Sequence, residues 1–415
     1  MYDLKALGER AREAKATLRG LKTEEKNRLL LKAAEQMVTD SAEILQANVL
    51  DLTHALENGM SEAMQDRLRL TDARIEAMAE GMRQVAELPD PVGCVLEEFD
   101  RPNGLHISKV SVPLGVIGII FESRPNVCAD AFALTFKAGN AVILKGGSDA
   151  LETNKAIIAV IRKALAEEGI TEDAVSLIES TDREVTKQFM KMKEYVDVLI
   201  PRGGAGLIRS VVENATIPVI ETGTGNCHVY VDRAADLEMA VRIVKNAKTQ
   251  RISVCNAAES LILHRDIKDA FMPMLQEALK ERPVEFRGDE EACAALPGMI
   301  PATEEDYGRE YLDYIMSVKT VGSTEEAIRH INRYNTHHSE TIVTEDPKAA
   351  EQFLNGVDAA CVYVNASTRF TDGFEFGFGA EIGISTQMLH ARGPMGLREL
   401  TSYQYQIRGN GQIRG

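Results

Sequence analysis

The stretch Val116–Asn126, with the sequence VIGIIFESRPN, indicates the fold class most clearly. Its first part, Val116–Phe121, is apolar and predicts a short buried β-strand. The second part is charged, small or polar, and residues 126–138 then show the apolar spacing of a helix. A strand that leads through a polar turn into a helix is a βα unit. Repeated units of this kind predict a parallel sheet that is covered by helices on both faces.

The sequence on either side repeats this pattern. Amphipathic spacing predicts N-terminal helices at 1–19, 23–38, 41–57 and 72–87, with Thr23 and Thr71 as N-caps. Residues 95–112 predict a β-ribbon that turns at 101–104. Beyond the first strand, a helix is predicted at 151–168, and further strands are predicted at Ala141–Lys145, Val175–Ile178, Val196–Ile200 and Val219–Ile220.

A second α/β unit follows after residue 255. Its predicted strands are Ser260–His264, Ser317–Val321, Glu340–Thr344 and Cys361–Asn365. Its predicted helices are 267–281, 324–332 and 347–355. The acidic, proline-bearing stretch 284–308 predicts an irregular surface excursion, the Gly-rich stretch 374–384 a loop, and residues 399–407 a final strand.

Composition narrows the class of protein. A chain of 415 residues exceeds one ordinary core, so we expect two or three domains. A net charge of −16 argues against nucleic acid or an anionic membrane as a partner. The chain has six cysteines without a C-x-x-C pair, which favours reduced thiols in the cytoplasm. The eight histidines show no zinc spacing, so no metal site is predicted, and neither a signal peptide nor a membrane span of ~18 apolar residues is expected.

Four predicted strands end in turns that combine small residues with a charge. Because ligands of parallel sheets bind at the carboxyl ends of strands, these turns predict a binding site. Glycine there allows close backbone approach, and helix N-termini attract phosphate. The usual G-x-G-x-x-G fingerprint is absent after the first strand. The four turns are Glu122–Asn126, Lys145–Ser148, Pro201–Gly204 and Glu221–Gly225.

A cysteine and a glutamate form a candidate catalytic pair. Cys255 lies in the partly polar segment QRISVCN, and Glu221 opens the turn ETGTGN 34 residues earlier. A thiolate is a strong nucleophile, and a carboxylate can serve as its base. Each residue alone has a commoner explanation, since single cysteines are usually small buried apolar residues. Their order and spacing favour covalent catalysis.

Taken in order, these pieces resemble the aldehyde dehydrogenase superfamily along nearly the whole chain. The turn at Glu221 resembles the family's base-bearing turn, Val254-Cys255 its nucleophile segment, and Glu310 the glutamate that holds the cofactor ribose. More narrowly, the chain resembles the branch of that family that reduces gamma-glutamyl phosphate. The strings that carry this closer resemblance are FESRPN, KGGS, PRGG, VNASTRF and HARGPMGL, at 121–126, 145–148, 201–204, 364–370 and 390–397.

The resemblance implies an α/β, aldehyde dehydrogenase-like fold of two parallel-sheet domains plus a small β oligomerisation ribbon. A cofactor-binding domain would cover 1–95 and 113–224, and a catalytic domain 225–396. The ribbon would comprise 96–112 and 397–415, and its two parts would pair across a subunit contact. A homo-oligomer, dimer or higher, is therefore expected, and glutamate 5-kinase is a candidate partner because it supplies the acyl phosphate.

The implied activity is NADPH-dependent reduction of L-glutamyl 5-phosphate, a small-molecule substrate, to L-glutamate 5-semialdehyde in proline biosynthesis. Cys255 would form the thioester, and Asn126 would stabilise the oxyanion together with the backbone N–H of Cys255. Helix capping is the alternative role for Asn126. Glu221 is placed in the site, where it tunes the thiol or orients substrate, because water activation would waste the thioester.

The resemblance assigns binding of the anionic substrate and of NADPH to arginines and to the glycine-containing turns. The implied substrate residues are Arg124, Arg251, Asn365 and Arg369, with Arg369 the first choice and surface salt bridging the alternative for each arginine. NADPH is expected over NADH because Ser148, three residues after Lys145, stands where NAD-using relatives have a glutamate. The implied cofactor residues are Lys145, Gly147, Ser148, Arg202, Gly203, Gly204, Gly223 and Glu310.

Other functions remain open at this point. Another thioester-forming aldehyde dehydrogenase would use aldehyde, NAD and water instead of acyl phosphate and NADPH. A non-catalytic nucleotide-binding scaffold would have a Cys255 that resists iodoacetamide. A thiol hydrolase built on Cys255 and His264 would leave the four polar strand ends without a purpose.

Overall fold

The structure is a computed structural model that describes residues 2–414. The chain forms two compact units. The first unit extends to Glu221 and also contains Gly377–Gly383 and the chain from Met395 onward. The second unit comprises Thr222–Phe376 and Ile384–Pro394. Within residues 2–414, no helix is long and apolar enough to cross a membrane.

The first unit begins with helices whose apolar positions recur at three- and four-residue spacing. In the second of them Leu29, Leu30 and Ala33 are fully buried, as that spacing predicts. Thr71 caps the last of these helices by accepting from Arg74 N, whereas Thr23 is the first helical residue, so its predicted role as N-cap was wrong. The helices are α1 (Leu4–Leu18), α2 (Thr23–Thr39), α3 (Ser41–Glu57), the unpredicted α4 (Glu62–Leu68) and α5 (Asp72–Glu87).

The predicted β-ribbon is a three-stranded antiparallel sheet in the order β1-β2-β16. Its strands are β1 (Val95–Asp100), β2 (His106–Pro113) and β16 (Thr401–Arg408). The last strand pairs with β2 of its own chain from Thr401 to Arg408, so the expected pairing of these segments across a subunit contact was wrong. Pairing within one chain avoids the loss of translational and rotational freedom that pairing with a second molecule would require.

The main sheet of the first unit has four parallel strands in the order β5-β4-β3-β6. The predicted strand at Val219–Ile220 is only a single bridge to Leu199, because Pro218 cannot donate to a ladder and a turn begins at Glu221. The strands are β3 (Val116–Phe121), β4 (Ala141–Lys145), β5 (Val175–Leu177) and β6 (Val198–Arg202). The helices are α6 (Asn126–Lys137), α7 (Leu151–Glu167), α8 (Arg183–Phe189) and α9 (Ala205–Asn214).

The second unit contains a seven-stranded sheet in the order β10-β9-β11-β8-β7-β12-β13, with parallel neighbours throughout. The prediction that residues 284–308 form an irregular surface excursion was wrong. They contain two strands and a helix, which are too short to show a period in the sequence. The strands are β7 (Cys227–Val231), β8 (Ala258–His264), β9 (Glu285–Gly288), β10 (Ile300–Pro301), β11 (Ile315–Val321), β12 (Ser339–Val343) and β13 (Cys361–Val364), with β14 (Ile384–Ser385) and β15 (Gly393–Pro394) as a separate antiparallel pair. The helices are α10 (Leu237–Thr249), α11 (Lys268–Ala278), α12 (Glu290–Ala295), α13 (Thr324–Tyr334) and α14 (Pro347–Gly356).

Candidate active site

Three of the four polar turns meet at one edge of the first sheet, because β3, β4 and β6 are parallel neighbours. Gly204 N donates to Glu122 Oε2 at 2.9 Å, which joins the end of β3 to the start of α9. Glu122 N donates to Arg202 O at 3.1 Å. A Cβ on Gly203 would lie 2.4 Å from Glu122 Oε2, so any other residue there would displace the Glu122 carboxylate.

The turn after β4 is joined to the turn after β3 through Ser123. Ser123 has a φ of +35°, which a non-glycine residue adopts only when its surroundings impose it, and its hydroxyl donates to Asp149. A Cβ on Gly147 would lie 2.3 Å from Asp149 Oδ1. Lys145 Nζ donates to Gly146 O at 2.6 Å, and burial lowers the pKa of this lysine. Ser148 is exposed and begins the short helical turn that precedes α7.

Asn126 is the first residue of α6, and its side chain is exposed. It is therefore not the N-cap, a position that Pro125 occupies. Its Nδ2 donates to Asp130 Oδ2 at 2.9 Å, one turn further along the helix. The amide nitrogen has two protons, and this bond uses one of them. Burial raises the pKa of Asp130 to about 6, although the Asn126 bond and the charge of Arg202 oppose the rise.

Cys255 lies in the loop between α10 and β8 of the second unit, and it is partly exposed. Its carbonyl accepts a hydrogen bond from Cys227 Sγ at 3.2 Å. A Cβ on Gly225 would lie 1.4 Å from that same carbonyl oxygen, so only glycine lets the Gly-rich turn pass this close to the nucleophile loop. Burial raises the pKa of the Cys227 thiol well above its usual range, so this neighbour is a structural thiol.

In the second unit, the charges of Cys255 and Arg251 both act on the guanidinium of Arg369. Burial lowers the pKa of Arg369, the Cys255 thiolate opposes that change, and the charge of Arg251 adds to it. Arg369 Nε donates to Gln250 Oε1 at 2.9 Å. The segment that bears Arg369 is joined to the nucleophile loop by Asn256, whose Nδ2 donates to Thr371 O at 2.9 Å. The guanidinium of Arg369 is therefore near enough to Cys255 for the two charges to influence each other.

Asn365 occupies a turn at the end of β13 and has a φ of +55°. Both ends of its amide bond the backbone of Thr344. Thr344 N donates to Asn365 Oδ1 at 2.9 Å, and Asn365 Nδ2 donates to Thr344 O at 2.9 Å. The side chain therefore holds the turn that leads to Arg369, and substrate binding by Asn365 stays a prediction.

The last predicted turn and Glu310 meet in the second unit. Gly225 N donates to Glu310 Oε1 at 2.7 Å, and burial raises the pKa of Glu310. A Cβ on Gly223 would lie 2.2 Å from Thr386 Cγ2. Glu221 is the last residue of the first unit before this turn and is half-buried. Exposed Arg124 lies in the strand-end turn of the first unit, next to Ser123.

Sequence reasoning missed several residues of these sites. Gln250 and Asn256 lie within the nucleophile segment and could have been found there from their polarity. Asp130 could have been found from its spacing of one helical turn after Asn126. Lys248 and Glu259, which form a buried ion pair, could not have been found from the sequence, because only the folded chain brings them together. No group of three or more His, Cys, Asp or Glu side chains within residues 2–414 is arranged to hold a metal ion.

Comparison with known proteins shows the family to which the chain belongs. The model of the aldehyde dehydrogenase family matches residues 2–296 and 307–402, in agreement with the two parallel sheets. The chain is 60% identical over 417 residues to the gamma-glutamyl phosphate reductase of Agathobacter rectalis, covering 100% of both proteins. It is 58% identical over 412 residues to that of Enterococcus faecalis, covering 99% of each. The chain belongs to the aldehyde dehydrogenase family, and within it to the gamma-glutamyl phosphate reductases.

Solved structures agree with this assignment. The crystal structure of gamma-glutamyl phosphate reductase from Thermotoga maritima matches with a TM-score of 0.97 at 50% identity, covering 100% of both chains. The aldehyde dehydrogenase fold predicted from the sequence is thereby confirmed. The family consists of oxidoreductases that use nicotinamide cofactors.

Proposed function

We propose that the chain reduces L-glutamyl 5-phosphate to L-glutamate 5-semialdehyde with NADPH, releasing phosphate, as a step of proline biosynthesis. The observation that carries the proposal is the nucleophile loop, in which the backbone of Cys255 lies against Gly225 and the charges of Cys255 and Arg369 influence each other. The full-length identity to reductases that bear this substrate in their name supports it.

The chemistry follows from a thiol next to guanidinium groups. Cys255 attacks the acyl carbon, the C–O bond to phosphate breaks, and phosphate leaves with the electron pair, so that a thioester remains on the enzyme. When bound, NADPH would supply the hydride that reduces the thioester carbon, and the Cys255 thiolate would be the leaving group as the aldehyde forms. Positive charge beside a thiol favours its thiolate, which is the reactive form.

The anionic groups of the substrate require cations that the acidic chain must provide locally. Arg251 and Arg369 are assigned to the phosphate and the carboxylate of the substrate, since a guanidinium matches both in bidentate geometry. Gln250 accepts from Arg369 Nε and so fixes its orientation. Glu221 is assigned to tuning the thiol or orienting substrate, because activation of water would hydrolyse the thioester.

The decisive experiment follows NADPH oxidation with L-glutamyl 5-phosphate generated in place by glutamate 5-kinase. We expect oxidation that depends on the kinase, on ATP and on glutamate. The reverse reaction, with semialdehyde, phosphate and NADP, should proceed as well. Oxidation of aldehydes with NAD in the absence of phosphate, without acyl phosphate reduction, would instead identify a different thioester-forming dehydrogenase.

NADPH should be preferred over NADH. Ser148 can donate to a 2′-phosphate, whereas the carboxylate of the next residue, Asp149, accepts from the Ser123 hydroxyl. A hydrogen bond to a charged group contributes about 1.5–3 kcal/mol, so kcat/KM should favour NADPH by roughly 10-fold to 150-fold. Steady-state kinetics with both cofactors measures this. Ser148→Glu should narrow the preference, with kcat/KM for NADH as the internal control, whereas an equal or higher value for NADH in the wild type would refute it.

The chain should form a homo-oligomer through the outer face of the ribbon. Phe99, Ile107 and Ile407 align across the three strands, and Phe99 and Ile407 are exposed. A contiguous apolar face of this kind is typical of an interface. Ile407→Glu should shift the molecular mass towards the monomer in light scattering. Gln406→Glu, on the opposite face of the same strand, is the matched control, and a wild type that stays monomeric at micromolar concentration would contradict the prediction.

A further inference from the structure

Lys248 and Glu259 form an ion pair inside the second unit, where 1% and 0% of their side chains are exposed. Lys248 lies in the last turn of α10, and Glu259 is the second residue of β8. The pair therefore joins the two ends of the loop that contains Arg251 and Cys255. A bond between the ends of a loop restricts the conformations that the loop can reach.

The second oxygen of Glu259 extends to another loop. Glu259 Oε1 accepts from Leu312 N at 3.1 Å, and Leu312 has a φ of +54°. A non-glycine residue in this left-handed region is held there by its surroundings. Two residues earlier is Glu310, which accepts from Gly225 N at 2.7 Å. Glu259 thus contacts the nucleophile loop through Lys248 and the Glu310 loop through Leu312.

These contacts form a closed ring. Gly225 lies against the carbonyl of Cys255 and donates to Glu310, and the Glu310 loop returns through Leu312 to Glu259. Burial raises the pKa of Glu259 and lowers that of Lys248, so the two charges are kept at a cost in desolvation. Apolar residues of similar volume are often equally stable in place of a buried ion pair, so stability alone does not account for it.

We propose that Lys248 and Glu259 are positioning residues, which hold the Cys255 loop and the Glu310 loop in the arrangement that thioester formation and cofactor binding require. The inference rests on the proposed function for the roles of Cys255 and Glu310. Neither Lys248 nor Glu259 is assigned a contact with substrate or cofactor.

The double variant Lys248→Met/Glu259→Met tests the proposal, because it removes both charges and leaves similar volume. It should melt near the wild-type temperature. Its kcat should fall by ~10-fold to ~100-fold, since small misplacements of a nucleophile have effects of this size. The KM for NADPH should rise as the Glu310 loop loosens. Alkylation of Cys255 by iodoacetamide, followed by peptide mass spectrometry, should slow because the arginines are no longer held beside the thiol.

The matched control is Lys26→Met/Asp90→Leu, which removes an ion pair of the first unit with 2% and 10% exposed side chains and an Nζ–Oδ2 distance of 2.9 Å. It should leave kcat and the alkylation rate of Cys255 unchanged. A folded Lys248→Met/Glu259→Met protein with wild-type kcat and alkylation would overturn the proposal. If this double variant does not fold, Glu259→Gln keeps the acceptor for Leu312 but lacks the charge. It should slow alkylation while preserving the KM for NADPH, and wild-type alkylation in that variant would equally overturn the proposal.

The experiments distinguish failure of the proposed function from failure of the positioning role of Lys248 and Glu259. If the wild type does not reduce L-glutamyl 5-phosphate, the proposed function fails, while the alkylation rates still test whether the pair positions Cys255. If the wild type is active and the variants alkylate normally, the proposed function stands and the positioning role is refuted.

Discussion

Cys255→Ser is expected to abolish turnover, lowering kcat by on the order of 10⁴-fold or more, as loss of a covalent nucleophile does. A serine hydroxyl is far less acidic than a thiol, and the nearby arginines cannot make it an effective nucleophile. Folding and NADPH binding should stay nearly intact, because the partly exposed side chain changes little in volume. Single-turnover NADPH oxidation and NADPH fluorescence titration measure the two effects.

Cys293→Ser is the matched control, since Cys293 is also partly exposed but lies in α12, away from the proposed chemistry. It should retain wild-type kcat. Cys255 should also be alkylated faster than the other five cysteines, including the more exposed Cys94, because thiolate character and not exposure alone sets the rate. A serine variant with a substantial fraction of the wild-type rate would end the thioester mechanism.

The sequence predicted elements well where a whole segment is buried. The strands at 116–121 and 141–145 are confirmed at both ends, because every residue in them is buried and their apolar runs stop at polar turns. Burial of a whole segment was not sufficient, because β7, in which every residue is buried, and the 13-residue helix α10 were not predicted. The strand β10 was missed because it has only two residues, too few for any period to be recognised.

In the candidate site, the positions of backbone turns could be predicted, whereas most side-chain contacts could not. Turns at the carboxyl ends of parallel strands lie at one edge of the sheet, so the position of three of the four turns followed from the strand pattern. The contact between Glu122 and Gly204 depends on the strand order, which the sequence did not predict. Contacts that depend on side-chain placement did not. Asn365 was assigned to the substrate from a motif, yet its amide bonds the backbone of Thr344. The ion pair of Lys248 and Glu259 joins residues with no pattern in common, so the sequence alone held no signal for it.

Asn126→Ala is expected to lower kcat by ~100-fold or more with little change in NADPH affinity, because a donor to an oxyanion contributes mainly in the transition state. The assignment comes from the family motif, and the structure adds that the amide keeps a second proton beyond its bond to Asp130. Steady-state kinetics and NADPH titration measure the two quantities. Loss of the Asp130 bond alone should cost about 1.5–3 kcal/mol of stability, the usual range for a hydrogen bond to a charged group.

Asp130→Ala separates the two roles of Asn126, since it removes the same hydrogen bond and leaves the amide in place. If Asn126 only stabilises the helix, both variants should have equal kcat; if its amide acts on the oxyanion, Asn126→Ala should be much slower.

The pH dependence of kcat tests whether Asp130 orients the amide of Asn126. Burial raises the pKa of Asp130 to about 6, so its carboxylate loses its charge, and becomes a weaker acceptor, as the pH falls through that value. The kcat of the wild type should then approach that of Asp130→Ala at low pH, and a gap between them that stays constant with pH would show that Asp130 does not orient the amide.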